Sequence, residues 1–376
     1  MRLPVLDIPV PSLPVSPALD TGPRSIGAVR MLRISLTDRC NFRCLYCMPP
    51  GGVEWLPAAD LLSDDEVLEV ARAAASVHNI RRFKLTGGEP TLRPGLAGLV
   101  RSFRHEIDGL EDLSMTTNGF LLEKLAVPLR DAGLDRVTVS IDSLKPDRFR
   151  RITRTGDLIA VLRGLDRAVA AGFESVKINC VVMRGVNDDE VADFARLTLD
   201  RRVTVRFIEY MPLGDAAVAP AAATTSATPD SSETGPAGGC GAQDRGDVFV
   251  SEPIVRRSIE DALGPLAPVE RSQESGVGPA VVYHLSRDNP RGRVGFISAM
   301  SAPFCSTCNR LRLTATGVLR SCLFEGGEVD LKPMLREPAD PARRRQRLGR
   351  AMEDCVRLKP DIHGSRGNEQ MSRIGG

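Results

Sequence analysis

The sequence predicts an α/β fold built on a parallel sheet, and two observations carry that reading. Six short β-type runs alternate with helical patterns as far as Ile208, and parallel strands need crossover helices between them. The alternation stops after Met211, where Ala, Thr, Ser, Pro and Gly intervene before ordered patterning resumes near Phe249. With 376 residues, 42% of them hydrophobic, the chain is long enough for two or three domains of roughly 150 residues, each with a normal core.

Taken in order, residues 1–25 are Pro-rich and patternless, and we expect a flexible leader. Asp7 interrupts its one apolar stretch, so it does not read as a signal peptide. Strands are expected at Leu32–Leu36, Arg82–Leu85, Leu113–Thr117, Val137–Ile141, Val176–Val182 and Val203–Ile208. Ser63 with Glu66 forms a capping-box pattern ahead of one helix, and Ile159, Leu162, Leu165 and Val169 recur at helical spacing in another, ending near Gly172. Residues 26–212 form this core. Residues 213–247 have almost no large apolar side chain and read as a disordered low-complexity insertion. Residues 248–360 form a second ordered region, with a helix at Pro253–Leu263 and strands at Val281–Leu285, Val294–Ser298, Leu311–Thr314 and Val318–Ser321. Residues 361–376 are a polar, Gly-rich tail. Periodicity does not choose between an open doubly wound sheet and a full or partial barrel.

Lys+Arg is 50 against Asp+Glu 48, a formal net charge of +2, which argues against a broad nucleic-acid or membrane surface. No run of about 18 apolar residues is present, so no membrane-spanning helix is expected and the protein reads as cytoplasmic. In that compartment the nine cysteines do not imply a disulfide framework. Six fall in two tight groups; Cys180 reads as a small buried hydrophobe, and nothing suggests a function for Cys240 or Cys355. The histidines His78, His105, His284 and His363 have no ligand-like neighbours in sequence and read as structural or solvated.

Cys40, Cys44 and Cys47 follow the first strand, at the carboxyl end where parallel α/β folds gather their sites. Thiolates favour iron–sulfur clusters or zinc. Structural zinc normally takes four ligands, and no fourth Cys or His lies nearby. Three thiolates can hold a [4Fe–4S] cube with one iron left open. The run from Cys40 to Cys47, with Tyr46 before its last cysteine, resembles the cluster loop of the radical S-adenosylmethionine superfamily. The run Thr86-Gly87-Gly88-Glu89-Pro90, about forty residues on, resembles that superfamily's methionine-binding motif. The resemblance implies a partial (β/α)6 TIM-type barrel with a C-terminal α+β extension. It implies S-adenosylmethionine as cofactor, with Tyr46 against the adenine and Gly87, Gly88 and Glu89 against the methionine.

Cys305, Cys308 and Cys322 form the second group. Alone it fits zinc; beside the first it fits a second cube with an open iron that takes substrate. The run Cys308-Asn309-Arg310-Leu311-Arg312-Leu313-Thr314, then Cys322-Leu323-Phe324, together with the terminal Ile374-Gly375-Gly376, is similar to the GTP 3′,8-cyclase family of molybdenum cofactor biosynthesis. That resemblance implies two [4Fe–4S] clusters and GTP contacts from Arg33, Lys84, Thr116, Lys177, Arg310 and Arg312, with Leu311 offering backbone contacts. Lys84 stands where relatives often carry arginine, keeping the charge without the bidentate fork. Ser140 and Met211 would join the S-adenosylmethionine site, and Gly375 and Gly376 would reach into the active site beside Arg33, Arg310 and Arg312. Independently, Arg310 and Arg312 share a face of one strand, and a triphosphate needs converging cations.

The implied reaction begins with an electron from a flavodoxin- or ferredoxin-type protein and cleavage of S-adenosylmethionine to a 5′-deoxyadenosyl radical. Hydrogen abstraction at the GTP ribose C3′ and attack on guanine C8 follow. A cyclic pyranopterin monophosphate synthase would receive the product; no nucleic acid or membrane partner is expected, and the chain would act as a monomer or homodimer. The rival readings are a radical enzyme that modifies a peptide and a non-catalytic zinc module.

Overall fold

The computed structural model describes residues 22–214, 248–274, 276–285, 292–326, 328–369 and 371–375. Most of the expected leader, residues 215–247 of the expected insertion with Cys240 in it, and Gly376 lie outside them.

The six expected strands form as β1 (Met31–Ser35), β2 (Arg82–Thr86), β3 (Asp112–Thr117), β4 (Arg136–Ser140), β5 (Ser175–Val182) and β6 (Val203–Glu209). They pair in chain order, all parallel. The crossovers are helical: α1 (Asp64–His78), α2 (Leu96–Glu106), α3 (Leu122–Asp131), α4 (Pro146–Thr153), α5 (Leu158–Ala170) and α6 (Val191–Asp200). Ser63 and Glu66 close the capping box on α1, and Asn79 ends that helix in the left-handed region at φ 56°. Helix α5 starts where the Asp157 side chain accepts from the amides of Ile159 and Ala160. Its buried face is Leu158, Val161, Leu165 and Ala168, while Ile159 is 58% exposed. The apolar stripe is therefore rotated by about one residue from the Ile159, Leu162, Leu165, Val169 series, sharing only Leu165.

The C-terminal region adds α7 (Glu252–Leu263), β7 (Ala267–Pro268), β8 (Val281–His284), β9 (Arg293–Ile297), β10 (Arg310–Leu313), β11 (Val318–Arg320), β12 (Val329–Asp330), α8 (Lys332–Arg336), α9 (Pro341–Arg357) and α10 (Met371–Ile374). Its strands continue the same sheet on both sides, in the order β12-β11-β10-β1-β2-β3-β4-β5-β6-β9-β8-β7. Strand β10 runs parallel to β1 and β9 parallel to β6, and antiparallel ribbons finish each edge. The fold is thus a partial barrel whose first and sixth strands are each extended by the end of the chain.

Leu213 does not belong with the low-complexity stretch that follows it. It is 1% exposed, packs with Met300 and Phe324, and bridges Gly367 of the tail. On the far side of residues 215–247, Phe249 bridges Met183. Among the described residues no helix is long and apolar enough to cross a membrane.

The apolar face of the parallel sheet points outward. Leu32, Ile34, Phe83, Leu85, Leu113, Met115, Val137, Val139, Ile178 and Val205 are fully covered and form one core under the helices. Because side chains alternate along a strand, the polar residues between them must face the barrel interior.

Candidate active site

That interior is a cavity of about 330 Å³, and its wall is the alternate residue set: Arg33 on β1, Lys84 on β2, Thr116 on β3, Thr138 and Ser140 on β4, Lys177 and Asn179 on β5, Arg206 on β6, and Arg310 and Arg312 on β10. Strand register groups them: Arg33 is flanked by Arg312 on one side and Lys84 on the other, and Thr138 pairs with Lys177, Asn179 with Arg206.

Gathering cations in a buried space is costly without counter-charge. Burial, then repulsion from Arg312, Arg310 and Arg206, holds the Arg33 pKa well below its ordinary value. Burial and the neighbouring cations likewise depress Lys84, Lys177 to about 7, Arg206 to about 10 and Arg312 to about 9. Lys84 donates to the Thr138 hydroxyl at 3.3 Å, and Arg206 reaches the same hydroxyl at 3.2 Å. Among the described residues, Thr116 Oγ1, Asn179 Oδ1 and Arg206 Nε are buried and meet no hydrogen-bond partner. Unsatisfied buried polar atoms and converging cations together describe a site built for a polar polyanion. Arg136, deeper in the cavity, differs: it is ion-paired with Asp112.

The first cysteine group stands at one side of this cavity. The amides of Arg43 and Leu45 donate to the carbonyls of Thr153 and Ile152, both at 2.9 Å, tying the loop to the end of α4. Arg154 donates to the carbonyls of Arg43 and Met48, and Phe42 packs edge-on against Phe149 and Phe120. Cys40, Cys44 and Cys47 all line the cavity. Burial pushes the Cys40 thiol up to about 11 and Cys44 well above its ordinary value, with Glu89 adding to the first and Asp142 to the second. Tyr46 also faces the cavity and donates to Asp142 Oδ2 at 2.7 Å. Burial raises the Asp142 pKa to about 6.

The Gly87-Gly88-Glu89 turn lies against the cysteine loop. Gly88 N donates to Thr37 O and Glu89 N to Arg39 O, each at 2.7 Å. A Cβ on Gly88 would come within 2.4 Å of the carbonyl oxygens of Asp38 and Arg39. That glycine is therefore required by backbone packing as well as by any ligand. Glu89 is buried, and its carboxylate accepts from Thr91 N and Oγ1, Thr117 Oγ1 and Asn118 N. Burial raises its pKa against these donors.

The second cysteine group flanks the β10–β11 ribbon, with Cys305 and Cys308 before it and Cys322 after it. Cys305 and Cys308 lie on a turn where Cys308 N donates to Cys305 O at 3.1 Å, and Cys322 follows β11. All three line the cavity. Burial alone would raise the Cys308 thiol, but Arg310 and Lys359 outweigh it and hold its pKa below the ordinary value. Arg310 also stacks over Phe304, 4.9 Å from the ring centroid. His363 stacks on Phe324 at 4.0 Å, and its two ring nitrogens face the carbonyl oxygens of Ala299 and Gly364.

The structure thus brings Arg33, Cys40, Cys44, Tyr46, Cys47, Lys84, Gly87, Gly88, Glu89, Thr116, Ser140, Lys177, Met211, Cys305, Cys308, Arg310, Arg312 and Cys322 to one cavity. Leu311 is the exception: its side chain is fully buried on the opposite face of β10, because it alternates with the two arginines. Gly375 reaches the site from the tail, where its carbonyl accepts from Arg312 Nη1 at 2.8 Å. Its φ is +73°, and an added Cβ would lie 2.7 Å from Thr86 Oγ1, so only glycine fits there. Gly376 lies outside the described residues. Sequence reading missed Arg206, Asn179, Asp142, Lys359 and His363. For Arg206 and Asn179 the signal was present, since each sits two residues from another cavity-facing position on its strand. His363, expected to be structural or solvated, lines the cavity.

Three thiolates in each group are a donor set that an iron–sulfur cube can take, each on a different iron. Within each group the thiols are near enough to raise one another's pKa, and each presents only three cysteines to the cavity.

Residues 34–198 match the Radical SAM superfamily, and residues 233–365 match Molybdenum Cofactor Synthesis C. The chain is 44% identical over 352 residues to the GTP 3′,8-cyclase of Pelotomaculum thermopropionicum, covering 93% of this chain and 98% of that one. It is 43% identical to the GTP 3′,8-cyclase of Geobacter sulfurreducens, covering 89% and 91%. The crystal structure of Streptococcus suis SuiB shares the fold, with a TM-score of 0.52 over 88% of this chain and 67% of that one at 11% identity.

Proposed function

The chain belongs to the GTP 3′,8-cyclase family of radical S-adenosylmethionine enzymes, and on that premise we propose how its cavity divides the work. The enzyme catalyses cyclisation of GTP to 3′,8-cyclo-7,8-dihydro-GTP, the first step of molybdenum cofactor biosynthesis. Relatedness at this level over nearly the whole chain removes the peptide-modifying and zinc-module readings.

Cys40, Cys44 and Cys47 hold the first cluster. When bound together with S-adenosylmethionine, that cluster supplies the electron that opens the radical chemistry. Tyr46, oriented by Asp142, offers its ring to the adenine; Gly87, Gly88 and Glu89 receive the methionine end, and Ser140 and Met211 complete the pocket. Cys305, Cys308 and Cys322 hold a second cluster with an open position for the guanine. Arg33, Lys84, Lys177, Arg206, Arg310 and Arg312 take the triphosphate, with Thr116 and Asn179 supplying uncharged partners and the Leu311 backbone lying between the two arginines of β10. Gly375, fixed by Arg312, and the adjacent Gly376 orient the ribose for hydrogen abstraction. The partial barrel, with the segments that cross its cavity, limits the access of water to the reacting atoms. A flavodoxin- or ferredoxin-type protein delivers the electron, and a cyclic pyranopterin monophosphate synthase takes the product, both in the cytoplasm.

The observation that carries this division is the set of buried cations that share one cavity with two three-cysteine groups and hold one another's pKa values down. The test is anaerobic turnover of GTP with S-adenosylmethionine and a reductant, with iron and sulfide content measured and the product identified. Wild-type protein carrying fewer than two clusters, or Lys177→Met and Arg206→Met variants with normal GTP affinity, would overturn it.

A further inference from the structure

Lys359 follows helix α9 and is 3% exposed. Its Nζ donates to Cys308 O at 3.0 Å and to Arg310 O at 3.2 Å, and its own carbonyl accepts from Arg24 Nε at 2.9 Å. Among the described residues no carboxylate lies within salt-bridge reach of it. Burial, with Arg310, lowers its pKa, while the thiols of Cys308, Cys322 and Cys355 favour its charge. A buried ammonium without a carboxylate is costly. It persists here beside two cysteines of the second group, which carry negative charge when they ligate a metal. The first group differs: its cation, Arg43, donates to the carbonyls of Cys40 and Phe42 at 2.6 and 2.9 Å but is only partly buried, and the carboxylates Glu89 and Asp142 act on that group as well.

We propose that Lys359 is a positioning residue of the second cysteine group, clamping the Cys308–Arg310 backbone and supplying the positive charge that raises the reduction potential of the cluster held there. The inference rests on the reading of Cys305, Cys308 and Cys322 as cluster ligands. A fixed cation beside a cluster favours the state that has gained an electron, because net charge is one lever on cluster potential. The clamp has a second effect. It holds the carbonyls on either side of Asn309, and so sets the register between a cysteine ligand and the two arginines of β10. The segment after α9 lines the cavity at Lys359, Pro360 and His363, which places Lys359 here and His363 on Phe324.

The test compares wild type with Lys359→Gln, which keeps a donor but loses the charge, and Lys359→Arg, which keeps the charge. Each holoenzyme is assayed for iron and sulfide, then titrated by electron paramagnetic resonance. The signal to follow is the reduced-cluster signal that S-adenosylmethionine leaves unperturbed. In Lys359→Gln that signal should titrate lower, with at least a tenfold change in its oxidised-to-reduced ratio at the wild-type midpoint. For a one-electron couple this is about 59 mV. Lys359→Arg should restore the wild-type position, and the signal that responds to S-adenosylmethionine should not move in either variant. Cyclisation should fall in Lys359→Gln while cleavage of S-adenosylmethionine without GTP stays near normal. A Lys359→Gln protein whose second signal is intact and unshifted overturns the proposal, as does an equal shift of both signals. If Lys359→Gln fails to load the second cluster, restored loading in Lys359→Arg supports the clamp and failed loading in both variants counts against it. Absence of a second signal in wild type itself would sink the cluster reading first, and the inference with it.

Discussion

The two cysteine groups offer the same ligands in opposite surroundings. Around Cys40 and Cys44 burial and nearby carboxylates work against thiolate charge and outweigh Arg43 and the hydrogen bonds that favour it at Cys40. Around Cys308 two cations overcome burial. Three cysteines therefore do not define a site; their neighbours decide what it is for. The first group is tied to Tyr46, Asp142 and the Gly87–Glu89 turn, which suits a cofactor. The second opens onto the cations that suit a nucleotide polyanion, one of which, Arg312, also holds the carbonyl of Gly375.

The largest effect should come from breaking the groups one at a time. Cys47→Ala should abolish both cleavage of S-adenosylmethionine and cyclisation. Cys308→Ala should spare much of the cleavage and stop cyclisation. Both products are read in one anaerobic assay, and a Cys308→Ala protein that cyclises at the wild-type rate would end the distinction between the groups. Next, removing Gly375 and Gly376 should leave both clusters and GTP affinity close to normal. Cyclisation should fall roughly 10–100-fold relative to cleavage, since a hydrogen bond to a charged group is worth about 1.5–3 kcal/mol. Tight coupling in the shortened chain would show that the Arg312–Gly375 contact is incidental.

A smaller effect sharpens the electrostatic side of the comparison. With its pKa lowered to about 7 by burial and by Arg206 and Arg136, Lys177 is charged below that pH and loses its proton above it. A triphosphate favours the charged form, so GTP affinity should weaken as pH rises from 6 through 8, and binding near pH 8 should take up a proton. Calorimetry in buffers of different ionisation enthalpy measures that uptake, and Lys177→Arg should suppress it. Uptake that persists unchanged in Lys177→Arg would assign it elsewhere. The smallest effect should follow replacement of residues 215–247 by a short Gly/Ser linker, because their composition lacks the apolar residues needed to offset ordering entropy of about 1–2 kcal/mol each. Activity should be near wild type provided Leu213 and Gly214 are kept. Extending the cut through Leu213 should loosen the tail, seen as faster carboxypeptidase trimming.

Much of this was legible in the sequence because strand, capping and cysteine spacing are local. Strand β1 was placed within a residue, and Ser63–Glu66 capped α1 as its pattern required. The side of the sheet that each residue faces was less legible. In a barrel with a polar interior both faces are covered, so Arg206 and Asn179 look in sequence like ordinary alternating surface residues. Lys177 drew attention through a family motif, yet Arg206, with the same alternation, did not. Lys359 and His363 were invisible for a different reason. They follow the last long helix without periodicity, and only the return of the chain across the cavity gives them neighbours. Leu213 was misplaced because composition sets a boundary by averages, while one buried side chain against Gly367 sets the real one.

The extension of the sheet at both ends has a consequence for biogenesis. Strands β1 and β6 become available early in synthesis, yet their pairing partners β10 and β9 are separated from them by some of the longest intervals in the chain. Contacts that distant form slowly, and bare strand edges invite pairing with other chains. The nascent polypeptide therefore emerges with two unprotected edges that persist until residues 293–313 have left the ribosome. Cys305, Cys308 and Cys322 are made in the same late interval, so conditions that slow translation of the last third should raise aggregation of this protein more than conditions that slow the first.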